Sequence, residues 1–243
     1  MYKRFVAIGD SLTEGVGDPL RDGSLRGWAD RLAEGLRRDT ADFTYVNLSR
    51  RSLRTGEVRV RQLPAALELR PDLSSAIVGM NDLIRPNFEP DDFGDELTEI
   101  VSGLTGVGAT VLMATFPDIS RFMPAPERIR RPLRERLSAA SAVVREVAAA
   151  HDAALVDACN VDEARNRDVC SIDCLHPNAR GHLLLARAFA EALAERSGSS
   201  IGMPASVPGA ILSLESALHL RWILVNARPQ VRGLVRRRKL AEA

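Results

Sequence analysis

Five short apolar runs are spaced along the chain. They are "FVAIG" (residues 5–9), "FTYVNL" (43–48), "LSSAIVG" (73–79), "ATVLMAT" (109–115) and "AALVDA" (153–158). Each is too short for a core helix, mostly unalternating and often β-branched, the pattern of strands buried on both faces. Helical patterns fill the gaps between them. In "GWADRLAEGLRR", Trp28, Leu32 and Leu36 recur every fourth residue and so share one helix face. Residues 91–104 and 132–150 repeat the theme, and "ARGHLLLARAFAEALAER" reads as a long helix with Asn178 as its N-cap. Strands that alternate with helices can pair in parallel through helical crossovers. The expected architecture is therefore α/β, a parallel five-stranded sheet covered by helices.

This body ends near Ser197, which makes residues 1–197 one domain. "SGSSIGMPASVPG" follows as a Gly/Ser/Pro linker, residues 198–209. Residues 210–243 form an amphipathic extension that ends strongly basic in "RGLVRRRK". Basic runs of this kind are most often solvated faces. The functional alternative is contact with an acidic surface or anionic lipid. A second cluster, "RIRRPLRERL" at 128–137, is expected as a lid or a helix start after the fourth strand.

The whole chain carries 33 basic and 32 acidic residues, a net charge of +1. That balance gives no general case for nucleic acid as a partner. Three cysteines, an odd number, suggest no secreted disulfide framework. The start, "MYKRFVAIGDS", is too poor in apolar residues for a signal-peptide core, and no stretch approaches the ~20 apolar residues of a membrane span. The expected location is cytoplasmic.

In an open parallel sheet the crevice lies outside the carboxyl ends of the strands. Those ends carry Asp10 and Ser11 after the first strand, "SRRSLRTGE" after the second, and "GMNDL", with Asn81 and Asp82, after the third. A longer loop after the fifth leads to "DCLHPN", with Asp173 and His176. This is an inventory for acyl transfer. A serine hydroxyl needs a base to become a nucleophile, and a histidine can take its proton. The histidine needs a partner to fix its tautomer; Asp173, three residues earlier, can share one tight loop with it. The Ser11 backbone N–H at a helix start and the Asn81 amide can face an oxyanion. Each residue also has a simpler reading: helix N-cap for Ser11, turn former for Asn81, surface loop residue for His176. His182 is expected to be structural, and neither His151 nor His219 lies in a motif. Cys170, Cys174 and His176, with Cys159 upstream, could hold zinc, but their spacing matches no common zinc pattern, so no metal or cofactor is expected.

"GDSLTEG", "GMND" and "DCLHPN", in that order, resemble the GDS(L)/SGNH hydrolase family over residues 5–195. The resemblance implies a flavodoxin-like α/β/α sandwich. It also implies Ser11 as nucleophile, His176 as base, Asp173 as its orienter, and the Ser11 N–H with Asn81 as oxyanion donors. Asp10, Gly79 and Asp82 would be supporting parts. The implied activity is hydrolysis of a small-molecule ester or thioester through an acyl-enzyme. An acyltransferase using the same site and a non-catalytic binding protein remain as alternatives. One position departs from the family pattern: Ser52 stands where a glycine usually supplies a third oxyanion N–H. Serine is expected to adopt the positive φ of that glycine less readily.

Overall fold

The computed structural model describes residues 2–206 apart from 124, 162, 164, 165, 172 and 205. The apolar runs become five strands: β1 (Arg4–Gly9), β2 (Thr44–Asn47), β3 (Leu73–Ile77), β4 (Thr110–Ala114) and β5 (Ala154–Val156). They form one parallel sheet in the order β2-β1-β3-β4-β5. The helices are α1 (Ser11–Glu14), α2 (Trp28–Asp39), α3 (Thr55–Arg61), α4 (Leu63–Glu68), α5 (Met80–Leu83), α6 (Pro90–Gly106), α7 (Glu127–Ala150) and α8 (Ala179–Ser197).

The two sides of β1 explain the layering. Phe5 and Ala7 pack with Trp28 and Leu32 of α2 and with Phe189 and Leu193 of α8. Val6 and Ile8, pointing the other way, pack with Val58 of α3, Leu97 and Ile100 of α6, and Leu137 and Val144 of α7. Both sets are apolar because both faces of the sheet are covered, which is why the strand sequences do not alternate. Two serines inside β3 are satisfied by the neighbouring strand. Ser74 Oγ donates to Val6 O at 2.6 Å and Ser75 Oγ to Ile8 O at 2.9 Å.

The strand order fixes where a site can form. From β1 the chain crosses to β2 on one side, then returns to β3 on the other. The loops after β1 and β3 therefore diverge and leave a crevice at the carboxyl end of the sheet, the topological switch point of a doubly wound fold.

One segment differs from its expected form, and another is decided between two readings. Of the lid and the helix start expected for the arginine cluster at 128–137, the structure shows the helix start: the cluster forms the opening turns of α7, which starts at Glu127 and carries Pro132 inside it. Its arginines pair along the helix surface, Arg131 with Glu135 at 2.8 Å and Arg134 with Glu127 at 2.9 Å. The early part of the expected linker is docked. Ile201 and Met203 pack against the α2/α8 layer, and Arg187 Nε donates to Pro204 O at 3.0 Å. The basic extension, residues 210–243, lies outside the described residues. Among the described residues, no helix is long and apolar enough to cross a membrane.

Candidate active site

The last residue of β1 delivers the serine. Gly9 has φ +152°, and a Cβ there would collide with the Ile77 carbonyl of β3. Buried Gln62 grips the same residue from both sides: its Oε1 accepts from Gly9 N and its Nε2 donates to Gly9 O, each at 2.9 Å. Asp10 then caps α1, accepting from Leu12 N at 3.1 Å. Ser11 is the first residue of α1, so its N–H lacks an intrahelical acceptor and projects from a helix start.

The histidine comes from a tight loop before α8. Ser171 N donates to His176 O at 2.8 Å, and Asn178 N to Val169 O at 3.0 Å. Asn178 caps α8 by accepting from Arg180 N and Gly181 N, while its Nδ2 donates to the carbonyls of Asp168 and Cys170. One oxygen of Asp173 accepts from Ser171 Oγ (2.7 Å), Leu175 N (2.9 Å) and His176 N (3.0 Å). The other lies 2.6 Å from His176 Nδ1. His176 Nε2 lies 2.8 Å from Ser11 Oγ. A proton held on Nδ1 by the carboxylate leaves Nε2 as an acceptor for the serine hydroxyl. His176 is 3% exposed and Ser11 9%. The structure thus brings Ser11, His176 and Asp173 into one hydrogen-bonded line.

The loops carrying these groups touch backbone to backbone. Gly17, at φ +108°, lies so close to the His176–Pro177 segment that a Cβ would fall on the Pro177 carbonyl oxygen. Gly17→Ala should therefore push the histidine away from Ser11. A displacement of about 1 Å costs on the order of 10²-fold in rate. The expected result is a kcat loss of that size, read with a p-nitrophenyl ester, with KM changed much less. Full activity would show that the loop yields freely.

Asn81 lies in α5, which begins after Gly79. Gly79 has φ +125°, and a Cβ there would meet the Phe93 ring. Asn81 Nδ2 donates to Leu53 O at 3.0 Å and faces Asp10 at a long 3.4 Å. Its second N–H is thus weakly held and can turn to a stronger acceptor. Asp82 joins the loops after β2 and β3, accepting from both Thr55 N and Thr55 Oγ1 at 3.0 Å. Burial pushes the Asp10 carboxyl up to about 6, against the opposing pull of the Leu12 N–H.

Ser52 corrects an expectation. It occupies the left-handed region at φ +68°, in an exposed turn. The chain adopts the glycine-like conformation with a serine, at a backbone cost of about 1–2 kcal/mol. Ser52→Gly is therefore expected to keep kcat within a few-fold, since no change of backbone is required. A gain above tenfold in steady-state kinetics would show that the serine side chain obstructs the site.

The other candidates fall elsewhere. Both ring nitrogens of His176 face Asp173 and Ser11, and among the described residues no group of three His, Cys, Asp or Glu is arranged to hold a metal. Burial pushes the Cys170 thiol up to about 11. Cys159 Sγ donates to Phe116 O at 3.0 Å. His182 is structural: Nδ1 accepts from Trp28 N at 3.1 Å and Nε2 donates to Val16 O at 3.0 Å. Burial drags its pKa down to about 3 and keeps it neutral. Sequence reasoning missed Gln62, Ser171 and Gly17. Of these only Gly17, in "GVGDP", carried a signal, two glycines in a loop after the nucleophile.

A family model described as "GDSL-like Lipase/Acylhydrolase family" matches residues 7–184. The chain belongs to this family. The GDSL match covers the end of β1, the other four strands and the whole serine–histidine constellation, and it assigns the chain to the carboxylic ester hydrolases. Solved structures share the GDSL fold at low identity. Axe2, an acetylxylan esterase from Geobacillus stearothermophilus, is 19% identical with a TM-score of 0.62, covering 79% of this chain and 94% of its own. The psychrotrophic esterase EstA from Pseudoalteromonas sp. is also 19% identical, TM-score 0.62, covering 81% and 100%. TesA is 23% identical, TM-score 0.60, covering 79% and 98%. No curated protein matches the sequence.

Proposed function

We propose that this GDSL-family chain hydrolyses small carboxylic esters or thioesters through an acyl-enzyme on Ser11. The observation that carries the reading is the line from Asp173 Oδ2 through His176 to Ser11 Oγ, with contacts of 2.6 and 2.8 Å. The Ser11 hydroxyl proton passes to His176 Nε2 as Oγ bonds to the acyl carbon. Asp173 holds the imidazolium that results. The carbonyl oxygen, now negative, is met by the Ser11 N–H and Asn81 Nδ2. The Ser52 N–H is the third donor in this reading, since its left-handed backbone is the one glycine ordinarily supplies. A donor of this kind is worth about 10²–10³ in kcat. The intermediate collapses, the bond to the alcohol breaks, and His176 returns the proton to the departing oxygen. Water then repeats the sequence on the acyl-enzyme. Its proton goes to His176 and on to Ser11 Oγ, and the acid is released.

The test is a set of p-nitrophenyl esters run beside an alkylphosphonate probe. EstA, which shares the fold, was solved inhibited by monoethylphosphonate. Ester turnover together with a phosphonate adduct mapped to Ser11 by peptide mass spectrometry is the expected result. Turnover with the adduct on another residue, or no turnover of any ester, overturns the reading.

A further inference from the structure

Ser11 and His176 open onto a cavity of about 140 Å³ that runs beneath the histidine loop toward α8. Phe116, Val156, Leu184 and Ala188 are among its walls. Gly181, Leu184, Leu185 and Ala188 recur along α8 at helical spacing and line it over eight residues, a rise of about 10 Å. Among the described lining residues, the nitrogen- or oxygen-bearing side chains are those of Asp10, Ser11, Thr115 and His176, and none is Lys or Arg. Thr115 Oγ1 is already engaged, donating to Asp157 at 2.7 Å and accepting from Cys159 N at 3.2 Å. Beyond Asp10 and the reacting groups, the described side chains of the wall leave no unengaged nitrogen or oxygen for a sugar hydroxyl, a phosphate or a carboxylate, and burying such a group without a partner is costly.

We infer that this cavity holds the hydrocarbon chain of the acyl group and limits it to about six carbons. The inference rests on the ester-hydrolase reading of Ser11. The size limit follows from volume: an apolar cavity of about 150 Å³ elsewhere takes up benzene and stays dry when empty. The choice of acyl over alcohol follows from the reaction order. Deacylation needs water at the carbonyl after the alcohol has left, so the alcohol side must open to solvent. The group that stays bonded to Ser11 throughout both half-reactions is the acyl group, and the apolar recess beside the serine suits it.

Two ester series separate the possibilities. In the first, the leaving group is p-nitrophenol and the acyl chain grows from acetate through butyrate, hexanoate and octanoate to dodecanoate. In the second, acetate is fixed and the alcohol grows from ethanol to octanol. In the acyl series, kcat/KM is expected to rise about fourfold per methylene up to about hexanoate and then fall. The alcohol series is expected to stay nearly flat. Ala188→Phe should move the optimum to a shorter acyl chain, and Leu184→Ala to a longer one. Should the phenylalanine variant fail to fold in a thermal melt, the alanine variant carries the comparison. An acetate or dodecanoate optimum, a rise along the alcohol series instead, or optima that ignore both variants overturns the inference. Phosphonate labelling of Ser11 in the same preparation keeps the two readings apart. A labelled serine with a flat acyl profile defeats the pocket assignment alone, whereas turnover without Ser11 labelling defeats the hydrolase reading beneath it.

Discussion

Ser11→Ala is expected to lower kcat on p-nitrophenyl esters by about 10⁶-fold while the protein still melts cooperatively. The effect is this large because the variant deletes the atom that becomes bonded to the substrate. Stability should change little. Ser11 sits at the first position of a four-residue helix, and its hydroxyl has His176 Nε2 as its partner. Its loss opens no core cavity and leaves the capping contact of Asp10 to Leu12 in place. His176→Ala should cost about as much, and the double variant hardly more than either single one, because serine and histidine act as one unit. Steady-state kinetics on the three variants, with circular dichroism melts beside them, check this. Independent losses that multiply, or a Ser11→Ala enzyme within tenfold of the parent, would rule out a shared nucleophile and base.

Asp173→Asn is expected to cost about 10⁴-fold in kcat with KM little changed, through the tautomer of a neighbour rather than through its own chemistry. One Asp173 oxygen is held by three donors: Ser171 Oγ, Leu175 N and His176 N. In the asparagine variant the amide oxygen must stay in that position, since those three groups donate. The amide nitrogen is then turned toward His176 Nδ1. It can only donate, so it selects the ring form with the proton on Nε2. That form offers Ser11 a proton instead of accepting one. The backbone donors are kept, so the loop should hold its shape and the melt should stay close to the parent. Stopped-flow acylation would show the loss in the first half-reaction. An asparagine variant acylating at parental speed would mean that another group orients the histidine.

The fold was legible because its determinants are local. Phe5, Val6, Ala7 and Ile8 are apolar on both sides, and only a doubly covered strand tolerates that. The candidate site was legible where chemistry requires a particular side chain, as at Ser11, Asp173 and His176, which the fold brings into one hydrogen-bonded line. It was not legible where the requirement falls on backbone. Gln62 matters because its amide, at the junction of α3 and α4, matches the Gly9 peptide 53 residues earlier in the chain, and nothing in its own sequence neighbourhood marks it. Ser52 misled for a related reason. A propensity ranks serine below glycine in the left-handed region, while the surrounding turn sets the conformation actually adopted. The helical pattern was legible from Pro132 onward, yet the helix begins five residues earlier at Glu127 and takes the proline within its first two turns.

The contact between Gly17 and the Pro177 carbonyl has a meaning for biosynthesis. The serine and the histidine lie 165 residues apart, one after the first strand and the other after the last. A nascent chain shows its nucleophile to the cell long before the base exists, and the serine gains its base only when the α8 end of the domain closes over the α1 loop. Contacts of such high sequence separation are among the slowest to form. Hydrolysis is therefore a reporter of finished folding. During refolding, ester turnover should appear no earlier than the last docking step, after helix signal and hydrophobic collapse have already recovered.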